Sequence, residues 1–474
     1  MPAMYILSHI VDLASWQVIL FLGGTFLSSA VDSFLEWKNT LGSGLKERLV
    51  SLRRMHPIAE KLFSDRKISQ SEKYQTDSRN LSNFSDSVCS GIETLVLLFG
   101  VAPLAVHAMF TIFPDIRPCV GIALSFFAVS LVGKAWEIPF SYLDTFKVEA
   151  RHGFNRMSRK TFFADEAKGI VLQALFAVPA SAACAELLFR FGDATWENFW
   201  LILAAFVAAG PVVEAFNVHV AMRLFFRFEP LKKGSLRKKL EKMLSRNNME
   251  ASSIVVMDSG KKTGHVNAFV HGIGSRKRIV LFDELLEKLS EDEVVAVVAH
   301  EIGHAKLHHI LWQRLAQVAS AACLVGISIV LMNDISLYRA FGYRFVLPEE
   351  IAGFRYVGFM LSTSLVGAVS WIFSPLMARW SRRMEKEADA FAARSSGKDP
   401  LRTALMKLSS DNLSNISPDP AYEAWNCSHP SILPRLEAIG EIVDENEKWT
   451  ERRERKASGR NRRKRKTRRN LREE

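Results

Sequence analysis

The sequence predicts a mainly α-helical, multi-pass membrane protein with a small α+β domain outside the bilayer, and three observations carry that prediction. Mean hydropathy is near neutral at +0.05 although the net charge is +12, so very apolar segments must alternate with very basic ones. Seven apolar stretches, near residues 15–35, 91–113, 119–140, 168–190, 199–222, 310–332 and 355–379, are long enough to span a bilayer. Between the fifth and sixth lies a polar, basic segment in which short β-type runs precede a helical pattern.

The first stretch is not a signal peptide, because it lacks a basic leader and a clean cleavage site and is followed by Asp32 and Glu36. Basic residues collect in the first loop (Lys38, Lys46, Arg48, Arg53, Arg54, Lys61, Arg66, Lys67) and the third (Lys147, Arg151, Arg156, Arg159, Lys160). Lys and Arg accumulate on the cytoplasmic side of a membrane, so both loops read as cytoplasmic. The loops around Asp115 and Arg117, around Asp193 and Glu197, and around Asp334, Arg339 and Glu349 then read as exoplasmic. Seven crossings leave the N-terminus outside and put the large fifth loop and the C-terminal segment together in the cytoplasm. Lys134, Glu137, Glu214, Asn217 and His219 fall inside spans. An ionised group facing lipid costs on the order of 3 kcal/mol, which predicts a polar intramembrane cavity, with snorkelling as the alternative for Lys134 and His219. The chain so divides into a membrane region (1–224), a cytoplasmic catalytic loop (225–309), two further spans (310–380), a C-terminal catalytic segment (381–445) and a tail (446–474).

The fifth loop predicts a basic helix from Leu236 to Arg246 and strands at 253–257, 265–270 and 278–282. Asn267, Ala268 and Phe269 lie in the middle strand, which is either an ordinary internal strand or an edge able to pair with an extended peptide. Ser290 and Glu293 stand in capping-box spacing ahead of the apolar run Val294 to Val298, which starts a buried helix. That helix carries His300-Glu301-Ile302-Gly303-His304, the HExxH signature of zinc proteases. Positions four apart share a helix face, so both imidazoles can turn to one metal ion while Glu301 stands beside it, where it can take a proton from an attacking water. A catalytic zinc takes three protein ligands. His308 and His309 lack the glycine turn and longer gap of a metzincin third ligand. Glu385 is better placed, because Glu385, Ala388 and Asp389 share one helix face and can bring a ligand and a supporting carboxylate together.

Beside these motifs stand Trp136-Glu137-Ile138-Pro139, His152-Gly153-Phe154-Asn155, Arg278 to Asp283 and Ser428-His429-Pro430. Taken in order from about residue 10 to 440, the set resembles the type I CAAX prenyl proteases, integral-membrane zinc endopeptidases with a gluzincin-like catalytic domain. The resemblance implies one Zn²⁺ per chain on His300, His304 and Glu385, with Glu301 as general base and Asp389 orienting a ligand imidazole. It implies that His429 and Arg435 stabilise the oxyanion, and that Asn267, Ala268 and Phe269 bind the substrate backbone along an edge strand. It further implies seven helices around a water-filled chamber with the zinc at its cytoplasmic end. The family's substrates are prenylated CAAX proteins, which lose a C-terminal tripeptide. The membrane would be the endoplasmic reticulum in a eukaryote or the inner membrane in a bacterium. Phe269 stands where the family usually has Tyr, which removes a hydroxyl and leaves the backbone role intact.

Beyond Trp449 the chain is almost wholly charged from Arg452 to Arg469, a composition that cannot bury a core and predicts disorder. Anionic lipid headgroups are its expected partners, with no specific nucleic acid expected. The five cysteines show no paired spacing and form no disulfide framework. Two other readings of the same motifs are a quality-control zinc protease acting on membrane polypeptides and a catalytically silent membrane scaffold. A structural zinc site would be closed by a fourth protein ligand and would need no base, so Glu301 favours the enzyme.

Overall fold

The computed structural model describes residues 10–40, 45–249, 253–272 and 277–441. The tail from Arg452 lies outside the described residues. Helix α1 (Trp16–Thr40) is followed by a bent pair, α2 (Asp65–Leu98) and α3 (Val101–Ile112), which meet at 51°. The stretch predicted as one straight span over 91–113 is therefore broken. Gly100 takes a left-handed conformation (φ 61°) between the two helices, and Pro103 in the first turn of α3 has no N–H to extend the ladder backward. Then come α4 (Pro118–Glu149), α5 (Arg159–Phe191) and α6 (Trp196–Phe225), each long and apolar enough to cross a membrane. Only 6% of the apolar window of α5 and 11% of that of α6 is buried within the chain. Lys134, Glu137 and Glu214 in these spans find charged partners. Lys134 pairs with Glu137 at 3.0 Å and reaches Glu166 at 3.9 Å, while Glu214 pairs with Arg314.

After α6 the chain leaves the bundle and forms a four-stranded mixed sheet. Strand β1 (Phe228–Pro230) leads to the basic helix α7 (Ser235–Arg246) and then to β2 (Ser253–Met257), β3 (Ala268–His271) and β4 (Arg278–Phe282). The spatial order is β1-β2-β4-β3, with β2 and β4 parallel and both outer pairs antiparallel. β3 begins three residues later than predicted. Ahead of it, the backbone of Val266 is held by the Asn412 amide, which accepts from Val266 N (3.0 Å) and donates to Val266 O (3.1 Å), so this stretch pairs with a side chain instead of a strand.

Helix α8 (Glu291–Lys306) follows, closed at its start by the Ser290–Glu293 capping box. The last two spans are α9 (His309–Leu331) and α10 (Ile351–Ser370), and after a short turn α11 (Ser374–Ser396) continues in the same apolar run. Helices α12 (Lys398–Asp411) and α13 (Ile432–Glu441) complete the body. One buried core joins the sheet with α8, α11, α12 and α13: Ile279 and Leu281 of β4, Val298 and Ile302 of α8, Ala392 of α11, Leu401 of α12 and Leu436 of α13. Fully burying such side chains contributes about 1.5–3 kcal/mol each.

The His152–Asn155 motif ties this body to the membrane helices. Glu149, at the end of α4, accepts from Tyr74 of α2 at 2.7 Å and lies 2.9 Å from His265. Phe154 stacks on the His265 ring at 4.1 Å, and Phe154 O accepts from Gly264 N. The segment entering β3 is thus clamped to the bundle.

Candidate metal centre

Helix α8 packs against α11, and Gly303 is the reason they approach so closely. A Cβ at that position would stand 3.2 Å from Ala388 Cα and 3.2 Å from Phe391 Cδ1. The contact brings three donors together: His300 Nε2 lies 3.3 Å from His304 Nε2 and 3.3 Å from Glu385 Oε2, while His304 Nε2 lies 3.3 Å from Glu385 Oε1. Two donors each about 2.0–2.1 Å from a tetrahedral zinc are about 3.3 Å apart, which is the spacing of the two imidazole nitrogens and of each of them from one of the two Glu385 oxygens. The chemistry of the pocket agrees. Glu385 Oε2 is buried with no aligned hydrogen bond although imidazole nitrogens crowd it, a cost that a shared cation would relieve.

Carboxylates stand behind the histidines. Asp389 Oδ1 approaches His300 Nδ1 at 2.9 Å, off the line of the N–H. Asp389 is itself gripped by Arg435, which donates from Nε at 2.8 Å and Nη2 at 2.7 Å. Burial pulls the His300 imidazole down, but the Asp389 and Glu385 carboxylates override it and hold it up at about 9. Burial pushes the Glu301 carboxyl above the usual range, against the pull of His300 and His304, which makes it a stronger proton acceptor.

His429 sits on the exposed loop before α13, its Nδ1 2.9 Å from Glu385 Oε2. β3 is an edge strand. Phe282 N donates to Asn267 O, so by the alternation of an antiparallel ladder Ala268 and Val270 turn their N–H and C=O groups to the free edge. Asn267 is exposed and its Oδ1 accepts from Ala268 N at 2.8 Å; Phe269 packs beside Phe282.

Two participants escape sequence reasoning. The chain does not continue as one helix through His308, which adopts a left-handed conformation (φ 60°) and restarts the helix at His309. The restart turns His309 inward, onto His304 and Glu387.

Comparisons with known proteins agree with this geometry. The model of "Peptidase family M48" matches residues 230–443, and that of "CAAX prenyl protease N-terminal, five membrane helices" matches 48–213. A curated Arabidopsis thaliana protein, CAAX prenyl protease 1 homolog, is 31% identical over 80% of this chain and 88% of its own length. The chain belongs to the CAAX prenyl protease 1 family. CAAX prenyl protease 1 of Saccharomyces cerevisiae is 26% identical over 90% of this chain and 96% of its own. The crystal structure of S. mikatae Ste24p superposes with a TM-score of 0.78 at 25% identity, covering 90% of this chain and 99% of that one. As a CAAX prenyl protease 1 homolog, the chain is an integral, multi-pass membrane metallopeptidase of the zinc-dependent M48 family, with the His300, His304 and Glu385 group as its metal site.

Proposed function

We propose that this protein removes the C-terminal tripeptide from prenylated CAAX proteins at a single zinc site facing the cytoplasm. The observation that carries the reading is the close group of His300, His304 and Glu385 beside an edge strand, on a chain whose relatives are CAAX prenyl proteases. His300, His304 and Glu385 would hold the ion, which when bound polarises a water and the scissile carbonyl. The extended substrate pairs with the Ala268 C=O and the Val270 N–H and C=O on the outer edge of β3, while Asn267, whose Oδ1 takes the Ala268 N–H, stands at the strand's entrance. Glu301 takes the proton of the attacking water and hands it to the leaving amine. His429, exposed beside Glu385, donates to the carbonyl oxygen as negative charge develops there.

Arg435 has a different part from the one the resemblance implies. Its Nε and Nη2 are committed to Asp389, so it acts behind the site, fixing the carboxylate that faces His300. A cavity of about 990 Å³ lined by Asp32, Arg79, Asp86 and Glu93 between α1, α2 and α10 supports a wetted interior for a lipidated chain end.

The test is cleavage by the purified protein in detergent, with a farnesylated CAAX peptide set beside the same peptide without its lipid. Release of the last three residues from the farnesylated peptide alone is expected. Equal cleavage of both, or of unrelated polypeptides only, would overturn the CAAX assignment in favour of a quality-control protease.

A further inference from the structure

We infer that His309 and Glu387 form a relay that sets the tautomer and aim of the metal ligand His304. His309 is buried on every side, with 2% of its surface exposed. Its Nε2 lies 3.1 Å from Glu387 Oε2 and its Nδ1 lies 3.1 Å from His304 Nδ1. Glu387 in turn accepts from Arg383 at 3.0 Å.

The direction of the hydrogen bonds follows from the chemistry of the groups. An ionised carboxylate only accepts, so His309 Nε2 carries the hydrogen. A neutral imidazole has one N–H, which leaves a lone pair on His309 Nδ1. That lone pair accepts from His304 Nδ1, so the His304 hydrogen is fixed on Nδ1 and its free pair on Nε2. His304 Nε2 is the atom that completes the ligand triangle with His300 and Glu385. If His309 donated from Nδ1 instead, His304 would have to place its hydrogen on Nε2, and ligation would fail. The two ligand histidines are therefore braced by unlike devices. His300 faces a carboxylate held by Arg435, whereas His304 reaches its carboxylate through a second imidazole. His309 and Glu387 are positioning residues, and they touch neither substrate nor the reacting atoms.

The inference rests on the zinc reading of this site, and the experiment separates the two. Apparent zinc affinity is measured by chelator competition on the purified full-length protein, with the visible spectrum of the Co²⁺-loaded form as a second readout. Outer partners of a metal-bound histidine typically account for 10–100-fold in affinity. His309→Leu, which keeps volume but offers no acceptor, should lose about that factor and change the cobalt spectrum. His309→Asn, which can put an amide oxygen near the Nδ1 position, should recover most of it. Glu387→Gln, at a half-exposed position, should weaken binding several-fold in the wild-type background and have no effect beside His309→Leu. Wild-type protein that binds no zinc would sink the zinc reading itself. Wild-type zinc binding with His309→Leu or Glu387→Gln equally tight, or with Leu rescuing as well as Asn, would overturn the relay alone.

Discussion

The catalytic body and the membrane helices are both rich in apolar side chains, yet they spend them differently. In α8, every residue from Glu293 to His300 is buried, along with Ile302 and Gly303. In α6, Val212 is 68% exposed and Trp200 50%. Lipid tails are as apolar as leucine, so a span gains little by hiding its side chains against the protein and is free to leave space between helices. The body has water as its alternative, so its apolar contacts fix atomic positions, and the metal ligands inherit that precision.

This contrast can be broken most severely at Gly303. Gly303→Val pushes Ala388 and Phe391 away, separates α8 from α11 and displaces Glu385 from the histidines. Misplacing a reacting group by about 1 Å costs on the order of 100-fold in rate, so activity should fall at least that far, with zinc lost on dialysis. Full zinc content in this variant would show that the helices tolerate a wider spacing. The same substitution made in each region then sharpens the comparison. Val298→Ala in α8, where the residue has no exposed surface, should cost about 2 kcal/mol. Val212→Ala in α6 should stay within about 0.5 kcal/mol. Thermal unfolding in detergent reads both, and equal losses would remove the distinction. An effect between these two is expected at the entry to α8, where Ser290→Ala removes half of the capping box and should cost about 1 kcal/mol.

Much of this architecture is legible in the sequence because its signals are local. Spans announce themselves by length and hydropathy, and among the described residues the candidate spans number six, or seven when the pair bent at Gly100 and Pro103 counts as one. The HExxH motif, the capping box and Glu385 with Asp389 are all set by helical spacing, and the structure brings the three expected ligands into one cluster. What stays hidden depends on contacts distant in sequence or on a break in a local rule. Arg435 meets Asp389 across 46 positions with no periodicity to announce it. The place of His309 beside His304 stays hidden because a left-handed residue at 308 restarts the helix, a break that no helical spacing announces. β1 is three residues long and ends in Pro230, too short to show alternation. Glu149 carries no signal in the sequence, because its partners Tyr74 and His265 lie 75 and 116 positions away.

The central claim is that one zinc on His300, His304 and Glu385 works with Glu301 as its base. It is tested most directly by measuring zinc content and cleavage of the farnesylated peptide for wild type and Glu301→Gln side by side. Gln keeps the shape of the side chain but cannot accept the proton, and loss of a general base costs about 10²–10⁴ in rate. The account predicts one zinc per chain in both proteins and a rate lower by at least about 100-fold in the variant. A variant that cleaves at the wild-type rate, or one that is inactive only because its zinc is gone, would contradict it.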